Sequence, residues 1–432
     1  MKRAGFAWPL LLMVPLALAA QAPPATLPLP PDELVLPAIE RTPEVQAAAA
    51  ALARAQAEAR LRDVGTHEAT LTVIPQRRHL QGGPTFNEWE VDLSRPVRWP
   101  HKARLDRDIG AVGVEAARLR FADAHHAGAL RLLARWSNWQ RATVMAEQQH
   151  AEVATWERDH KAIARRVELG DAARRDLLAA DAMLAQARAA ALQADVDAQV
   201  AELALRSDFP DLPLPERIRL GEQPPTLAGT DAYWSGLIVR RSHEIGAADA
   251  LARQREIAAR RARADRLPDP SVGVRVLDDL GGRERAIGLI VSIPIGVRQR
   301  DAGAAAAGAD ALAAQAELTL VRRDIAHGAR ESLTRVRAAQ AIWHSRQLAL
   351  VAARESAAKL ERAYALGESG LAELLVGRRG ELEAALAERS AAVDAIEAVA
   401  RVRIDAHDLW HDHHGSEDAE QSAGPHADLP DL

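Results

Sequence analysis

The chain carries one arrangement of segments twice, and each copy sets a pair of short strands between long helices. The clearer pair lies in Pro270 to Gly296. Val272, Val274 and Val276 alternate with smaller or charged residues, and Ile287, Leu289, Val291, Ile293 and Ile295 share one face of a second strand. Between them Gly281-Gly282 can take positive φ without a steric penalty, as a tight turn needs. An isolated two-stranded hairpin is marginal in water, so this one requires further strands.

The other copy supplies them about two hundred residues upstream, as His67 to Arg78 and Glu88 to Trp99. Ser94-Arg95-Pro96-Val97 corresponds to Ser292-Ile293-Pro294-Ile295. Pro43-Glu44-Val45 corresponds to His243-Glu244-Ile245, and Val167-Glu168-Leu169-Gly170 to Tyr364-Ala365-Leu366-Gly367. The offset drifts only from 200 (243 − 43) to 197 (367 − 170). Three matches in the same order indicate a tandem duplication.

The duplication divides the 432 residues into segments. Residues 1–19 read as a secretory signal peptide: Lys2 and Arg3, an apolar run, and Ala17-Leu18-Ala19 as cleavage signal. Residues 20–41 are proline-rich and should be extended. The first repeat spans 42–206: a helix, a hairpin at 67–99, a long helix from Pro100 to Glu168, a tip at Gly170, and a returning helix. A proline-rich linker occupies 207–230. The second repeat spans 231–410: a helix from Asp231 to Arg266, a hairpin at 270–296, a long helix from Val297 to Ala365, a tip at Gly367, and a returning helix. Residues 411–432 read as a His/Asp-rich disordered tail. Each long helix would extend roughly 100 Å at 1.5 Å per residue.

Ala329, Val336, Trp343, Leu350, Ala357 and Tyr364 recur every seven residues, as do Leu132, Trp139, Ala146 and Val153. A seven-residue apolar repeat keeps one stripe facing a neighbouring helix and implies supercoiled pairs. Only 3% of residues are aromatic, which suits slender, closely packed helices. The chain has no cysteine, hence no disulfide and no thiolate metal site. A net charge of −5 gives no general attraction to nucleic acid. A phosphate-binding glycine loop, an HExxH motif and a nucleophile in a recognisable setting are all missing, so the chain reads as a non-enzyme without a cofactor.

The strands are two-faced. Trp89, Val91, Leu93, Val97 and Trp99 share one face with Arg95, and Glu88, Glu90, Asp92, Ser94 and Arg98 share the other. That pattern fits lipid outside and water inside, with Trp at both ends as interfacial anchors. It also fits the edge of a soluble two-sheet sandwich.

The combination resembles the TolC-type outer-membrane efflux factors from Thr42 to Trp410. The most specific parts are Leu267-Pro268-Asp269-Pro270 before the third strand, Ser292-Ile293-Pro294-Ile295 after the fourth, and Tyr364-x-x-Gly367 followed by Leu374-Leu375. The resemblance implies a mainly α fold with a small β part. Long coiled-coil helices would form a periplasmic tunnel, and four strands per chain would join a trimeric 12-stranded outer-membrane β-barrel. It implies passive conduction of substrates delivered by an inner-membrane pump through a periplasmic adaptor protein. The alternative is a soluble periplasmic coiled-coil adaptor or scaffold without a pore.

Asp176 and Glu373, each six residues after a tip glycine and followed by two leucines, are the candidate pore gate. The resemblance implies that role at the position of Glu373, the repeat extends it to Asp176, and both acids also fit solvated helix faces near the turn. The resemblance also implies adaptor docking at the tips, which carry Gly170, Leu177, Leu178, Gly367, Leu374 and Leu375. Val376 and Ser369 depart from the second acid and the basic partner of the family pattern. His407, His411, His413 and His414 are candidate metal ligands and bring heavy-metal cations into the set of cargoes, although a solvated tail of mixed His and Asp is the simpler reading of the same residues. His125-His126 reads as a surface pair. Arg60, Arg62, Arg98, Lys102, Arg104, Arg107, Arg263, Arg266, Arg298 and Arg300 fall near strand ends, where a basic belt would meet anionic headgroups.

Overall fold

The computed structural model describes residues 28–65, 67–221 and 223–411. The signal peptide, His413 and His414 lie outside the described residues. Both repeats follow one plan. The first contains α1 (Asp32–Glu40), α2 (Pro43–Val64), β1 (Thr70–His79), β2 (Thr85–Pro96), α3 (Pro100–Glu168) and α4 (Arg174–Asp208). The second contains α5 (Asp231–Arg241), α6 (His243–Ala264), β3 (Ser271–Asp279), β4 (Glu284–Ser292), α7 (Val297–Ala365) and α8 (Leu371–Asp405).

Two expectations need correction. Residues 32–40 are helical rather than extended. Pro31 precedes the first turn, where its fixed φ and lack of N–H cost nothing, and burial of Val35 and Ile39 holds the helix despite Pro37. The helix expected from Asp231 to Arg266 is two helices, broken at Ser242. The Ser242 hydroxyl accepts a hydrogen bond from the Ile245 amide at 3.1 Å, which makes it the N-cap of α6. Thr42 stands at the same junction between α1 and α2 and donates to the Ile39 carbonyl at 2.7 Å. The repeat therefore begins about ten residues earlier than the sequence matches indicate.

At every level the chain is an open layer four elements wide. Near the strands the helices lie in the order α2-α3-α6-α7; toward the tips the order is α4-α3-α8-α7. The strands form one antiparallel sheet in the order β1-β2-β3-β4. Of the heptad positions, Leu132, Trp139 and Ala146 on α3 and Ala329, Val336, Leu350 and Ala357 on α7 are buried, while Val153, Trp343 and Tyr364 are half-buried. Both long helices contain 69 residues, so each spans roughly 100 Å.

The largest core is a girdle part-way along the helices, where α1 and the segments flanking the repeats cover α3 and α8, and α5 packs on α7 and α8. Trp136, Trp139, Phe209 and Trp410 fill one part, and Trp234, Leu237 and Val336 another. The Trp410 indole donates to the Pro30 carbonyl at 3.0 Å, so residues from the two ends of the described chain are pinned together.

Where helices meet strands, two members of the expected basic belt turn inward. Arg98 donates to the carbonyls of Arg62 (2.7 Å) and Asp63 (2.8 Å) and to Asp106 (3.0 Å). It thereby satisfies carbonyls that the end of α2 leaves unpaired. Lys102 is only 1% exposed; its ammonium donates to the Leu267 carbonyl at 2.6 Å and pairs with Asp265 and Asp269 at 3.0 Å each. It fastens the α6–β3 connection onto α3 and so joins the two repeats. Desolvation works against the ionised Asp265, but hydrogen bonds from Arg261 and Lys102 outweigh it and hold the carboxyl below its usual range. Arg261 also pairs with Asp106 at 2.8 Å.

Candidate functional site

The sheet has two chemically distinct faces and two free edges. In register across all four strands run Leu71, Leu93, Val274 and Leu289, and beside them Val73, Val91, Val276 and Ile287. This face is bare: Leu289 is 86% exposed, Ile287 78%, Leu71 64% and Leu93 54%. On the other face Thr72, Asp92, Arg275 and Gly288 form one row. Arg275 bridges Asp92 and Glu90 at 2.8 Å each. Glu88 is buried, pairing with Arg78 at 3.0 Å and accepting from the Leu280 amide at 3.1 Å. The bonded lattice of charge belongs to the side that reads as wet. Ile293 and Ile295, expected within the fourth strand, lie just beyond it; Pro294 has no N–H to continue the ladder.

The two tips pack together at the far end of the layer. Gly170 and Gly367 take φ of +81° and +78°, and a Cβ at either would meet open space. The six-to-one hydrogen bonds from Asp171 to Arg166 and from Glu368 to Ala363, both 2.8 Å, close helix ends that need a left-handed residue. Ile163, Ala180, Leu371 and Leu374 are buried between the hairpins, with Leu177, Tyr364 and Leu375 against them. The Arg166 guanidinium lies over the Tyr364 ring at 4.9 Å. Among the leucines of the two tips, Leu374 is buried and Leu178 is 60% exposed. Asp176 sits in the first turn of α4, and its carboxylate accepts from the Ala173 amide at 3.4 Å. Glu373 holds the matching position in α8 and is exposed. A carboxylate in a first turn also complements the helix dipole.

Of the four histidines singled out in the sequence, the described His407 and His411 come together with a third, His243. His407 stacks on His411 at 4.7 Å and on His243 at 4.4 Å between ring centroids. His407 is 5% exposed and His411 is half-buried. Burial, with the neighbouring imidazoles, pushes His243 down to about 4 and His407 down to about 3. Both rings are therefore neutral at pH 7.

His126 is not a surface residue either; it joins Asp405 at 3.2 Å and Glu244 at 3.5 Å. Burial opposes its protonation, but the two carboxylates outweigh it and lift the imidazole to about 9. Glu244 is desolvated too, yet hydrogen bonds from His126 and Ser242 bring it down to about 2. His243 escaped notice because its partners lie some 165 residues away (407 − 243 = 164). Its position at the first residue of a helix, after a capping serine, gave no local metal signal.

No family model and no curated protein sequence matches the chain. Solved structures do. The outer membrane protein VceC of Vibrio cholerae superposes with a TM-score of 0.72 at 18% identity, over 88% of this chain and 96% of that one. The chain has the fold of outer-membrane channels. The Campylobacter jejuni CmeC outer membrane channel gives 0.72 at 14% identity, covering 90% and 88%. The open state of the Neisseria gonorrhoeae MtrE outer membrane channel gives 0.70 at 19%, covering 88% and 89%. No described helix is long and apolar enough to cross a membrane.

Proposed function

We propose that the chain is one protomer of a trimeric channel in the outer membrane, with its helices forming a periplasmic tunnel. The observation that carries this reading is the open four-stranded sheet, apolar and bare on one face and charged on the other. A sheet in a bilayer must close, because unpaired backbone groups are costly in hydrocarbon. Four strands cannot close on themselves; three copies give twelve strands and leave no edge. The helical layer has the same two open edges. Leu192, Val196, Val200 and Leu203 line an exposed stripe on α4, and Leu348 and Val351, one turn apart, are exposed on one side of α7. Neighbouring protomers would cover both.

The channel would conduct passively, taking substrates from an inner-membrane pump through a periplasmic adaptor that docks at the tips around Gly170, Leu177, Leu178, Gly367, Leu374 and Leu375. Leu178, exposed, would contact the adaptor; Leu374, buried, would set the shape of the tip. Asp176 and Glu373 would ring the narrow end and favour cations, heavy-metal cations among them. A soluble adaptor is disfavoured by the size of the apolar β face, because soluble monomers rarely leave such a patch uncovered. The test is membrane fractionation with native mass measurement of the extracted protein. A trimer in the outer-membrane fraction supports the reading, and a monomer in the soluble periplasmic fraction refutes it.

A further inference from the structure

We propose that His243, His407 and His411 form a binding site for one divalent transition-metal ion, which fastens the C-terminal segment to the start of α6. This does not rest on the channel reading: the three rings come together within one protomer.

The geometry is the first support. Each residue offers a ring nitrogen, and these atoms all lie within 4.8 Å of one another. Imidazole nitrogens bound at 2.0–2.1 Å around one tetrahedral ion would be about 3.3 Å apart. Rotation of the stacked rings about their side-chain bonds can supply that contraction. The rings now stack, with interplanar angles of 12° to 28°, so the same rotation must tilt them until their in-plane lone pairs converge on the ion.

The backbone of His407 is the second support. Three helices of this chain end in the same way. At the end of α3 the left-handed residue is Gly170, and at the end of α7 it is Gly367. At the end of α8 the Asp408 amide bonds back to the Arg403 carbonyl at 2.7 Å, just as Asp171 and Glu368 do at the other two. There the left-handed residue is His407, with φ +54°. Glycine fills this position at the least strain. A buried imidazole held there at a conformational cost suggests a use for the side chain.

The third support is an unsatisfied atom. His243 Nε2 is buried and has no hydrogen-bond partner among the described residues. A buried polar nitrogen without a partner calls for one, and a metal ion is a partner that a neutral imidazole can take.

The surroundings suit a cation and help to choose it. His126 is occupied by Asp405 and Glu244, so it acts as a neighbouring charge rather than a ligand. Glu244 and Asp405 outnumber it. Glu244 and Asp405 also line a groove of about 580 Å³ in which Asp324, Glu331, Asp394 and Glu397 outnumber Arg335 and Arg401, so acidic groups lie next to the cluster although the three histidines do not line the groove. Three imidazoles without sulfur select Zn²⁺, Cu²⁺ or Ni²⁺ over Mg²⁺ or Ca²⁺.

The experiment is calorimetric titration of the chelator-treated, detergent-solubilised full chain with Zn²⁺, together with visible absorption of the Co²⁺-loaded protein. One ion per protomer is expected, with Co²⁺ bands of an imidazole-rich, low-coordinate site. His243→Gln and His411→Gln should each weaken binding by about a hundredfold. His407→Asn, whose side chain tolerates a left-handed backbone, should do the same while preserving the fold, checked by circular dichroism. His413→Gln/His414→Gln should leave affinity unchanged. Zn²⁺ should also raise the melting temperature of the unsubstituted chain and not that of His411→Gln. No binding, or binding lost only in the His413/His414 variant, would overturn the proposal.

Discussion

Placing Ile287→Arg on the bare face of the sheet probes the assignment of lipid and water sides. Ile287 shares a row with Val276, Val91 and Val73 and is 78% exposed. β4 has nine residues, or about 30 Å of strand, which at a tilt near 40° crosses about 23 Å, close to the apolar band of an outer-membrane barrel. Ile287 lies five residues from Ser292, at the helix-proximal end of β4, which puts it about 13 Å up and near the midplane. An arginine there should cost about 2–4 kcal/mol per protomer, roughly a thirtyfold to several-hundredfold loss in the folding equilibrium. The control is Thr72→Arg, on the opposite face and directly across from Asp92, where a cation meets a carboxylate. Asp92→Arg is unsuitable as a control, because Asp92 pairs with Arg275 at 2.8 Å and the change would set two cations together. The assay is refolding from urea into phospholipid vesicles, scored by the yield of trimer. Equal yields from Ile287→Arg and Thr72→Arg would refute the assignment of faces.

Three further outcomes follow from particular contacts. Lys102→Met leaves the Leu267 carbonyl and two carboxylates without their buried cation, and should lower stability by about 2–3 kcal/mol after allowance for the half-exposed Asp265; urea unfolding of the helical signal with a loss below about 0.5 kcal/mol would contradict the clasp. Asp176→Ala combined with Glu373→Ala should reduce the cation preference of the channel in reversal-potential measurements, and unchanged selectivity would remove the acids from the conducting path. Burial raises the carboxyl of Asp159, with Arg378 only partly opposing it. A raised carboxyl contributes stability at low pH that is lost as pH rises through its folded value. Asp159→Asn should therefore melt like the unsubstituted chain near pH 4 and higher than it at pH 7.5; a lower melting point at pH 7.5 would show the ion pair to be the stronger effect.

Much of the architecture was legible because it rests on periodicity. Alternating valines marked β3, seven-residue spacing marked the buried stripes of α3 and α7, and Gly170 and Gly367 marked the tips. The break at Ser242 was harder, since it is a single capping hydroxyl inside an otherwise continuous helical pattern, and α1 was hidden by the prolines on either side of it and within it. Arg98 and Lys102 read as members of a charged belt because a sequence shows charge and not direction; their acceptors are the carbonyls of Arg62, Asp63 and Leu267, groups that every residue carries. The histidine cluster was half visible. His407 and His411 lie close in sequence, whereas His243 joins them only through the packing of α6 against α3 and α7 and of α8 against both long helices.

The central claim, that three copies of this chain enclose a pore, is tested most directly by current through the purified protein in a planar lipid bilayer. The account predicts discrete, uniform conductance steps from a preparation whose native mass is that of a trimer. The same trimer inserted into the bilayer without any conductance, even after substitution of Asp176 and Glu373, would contradict it.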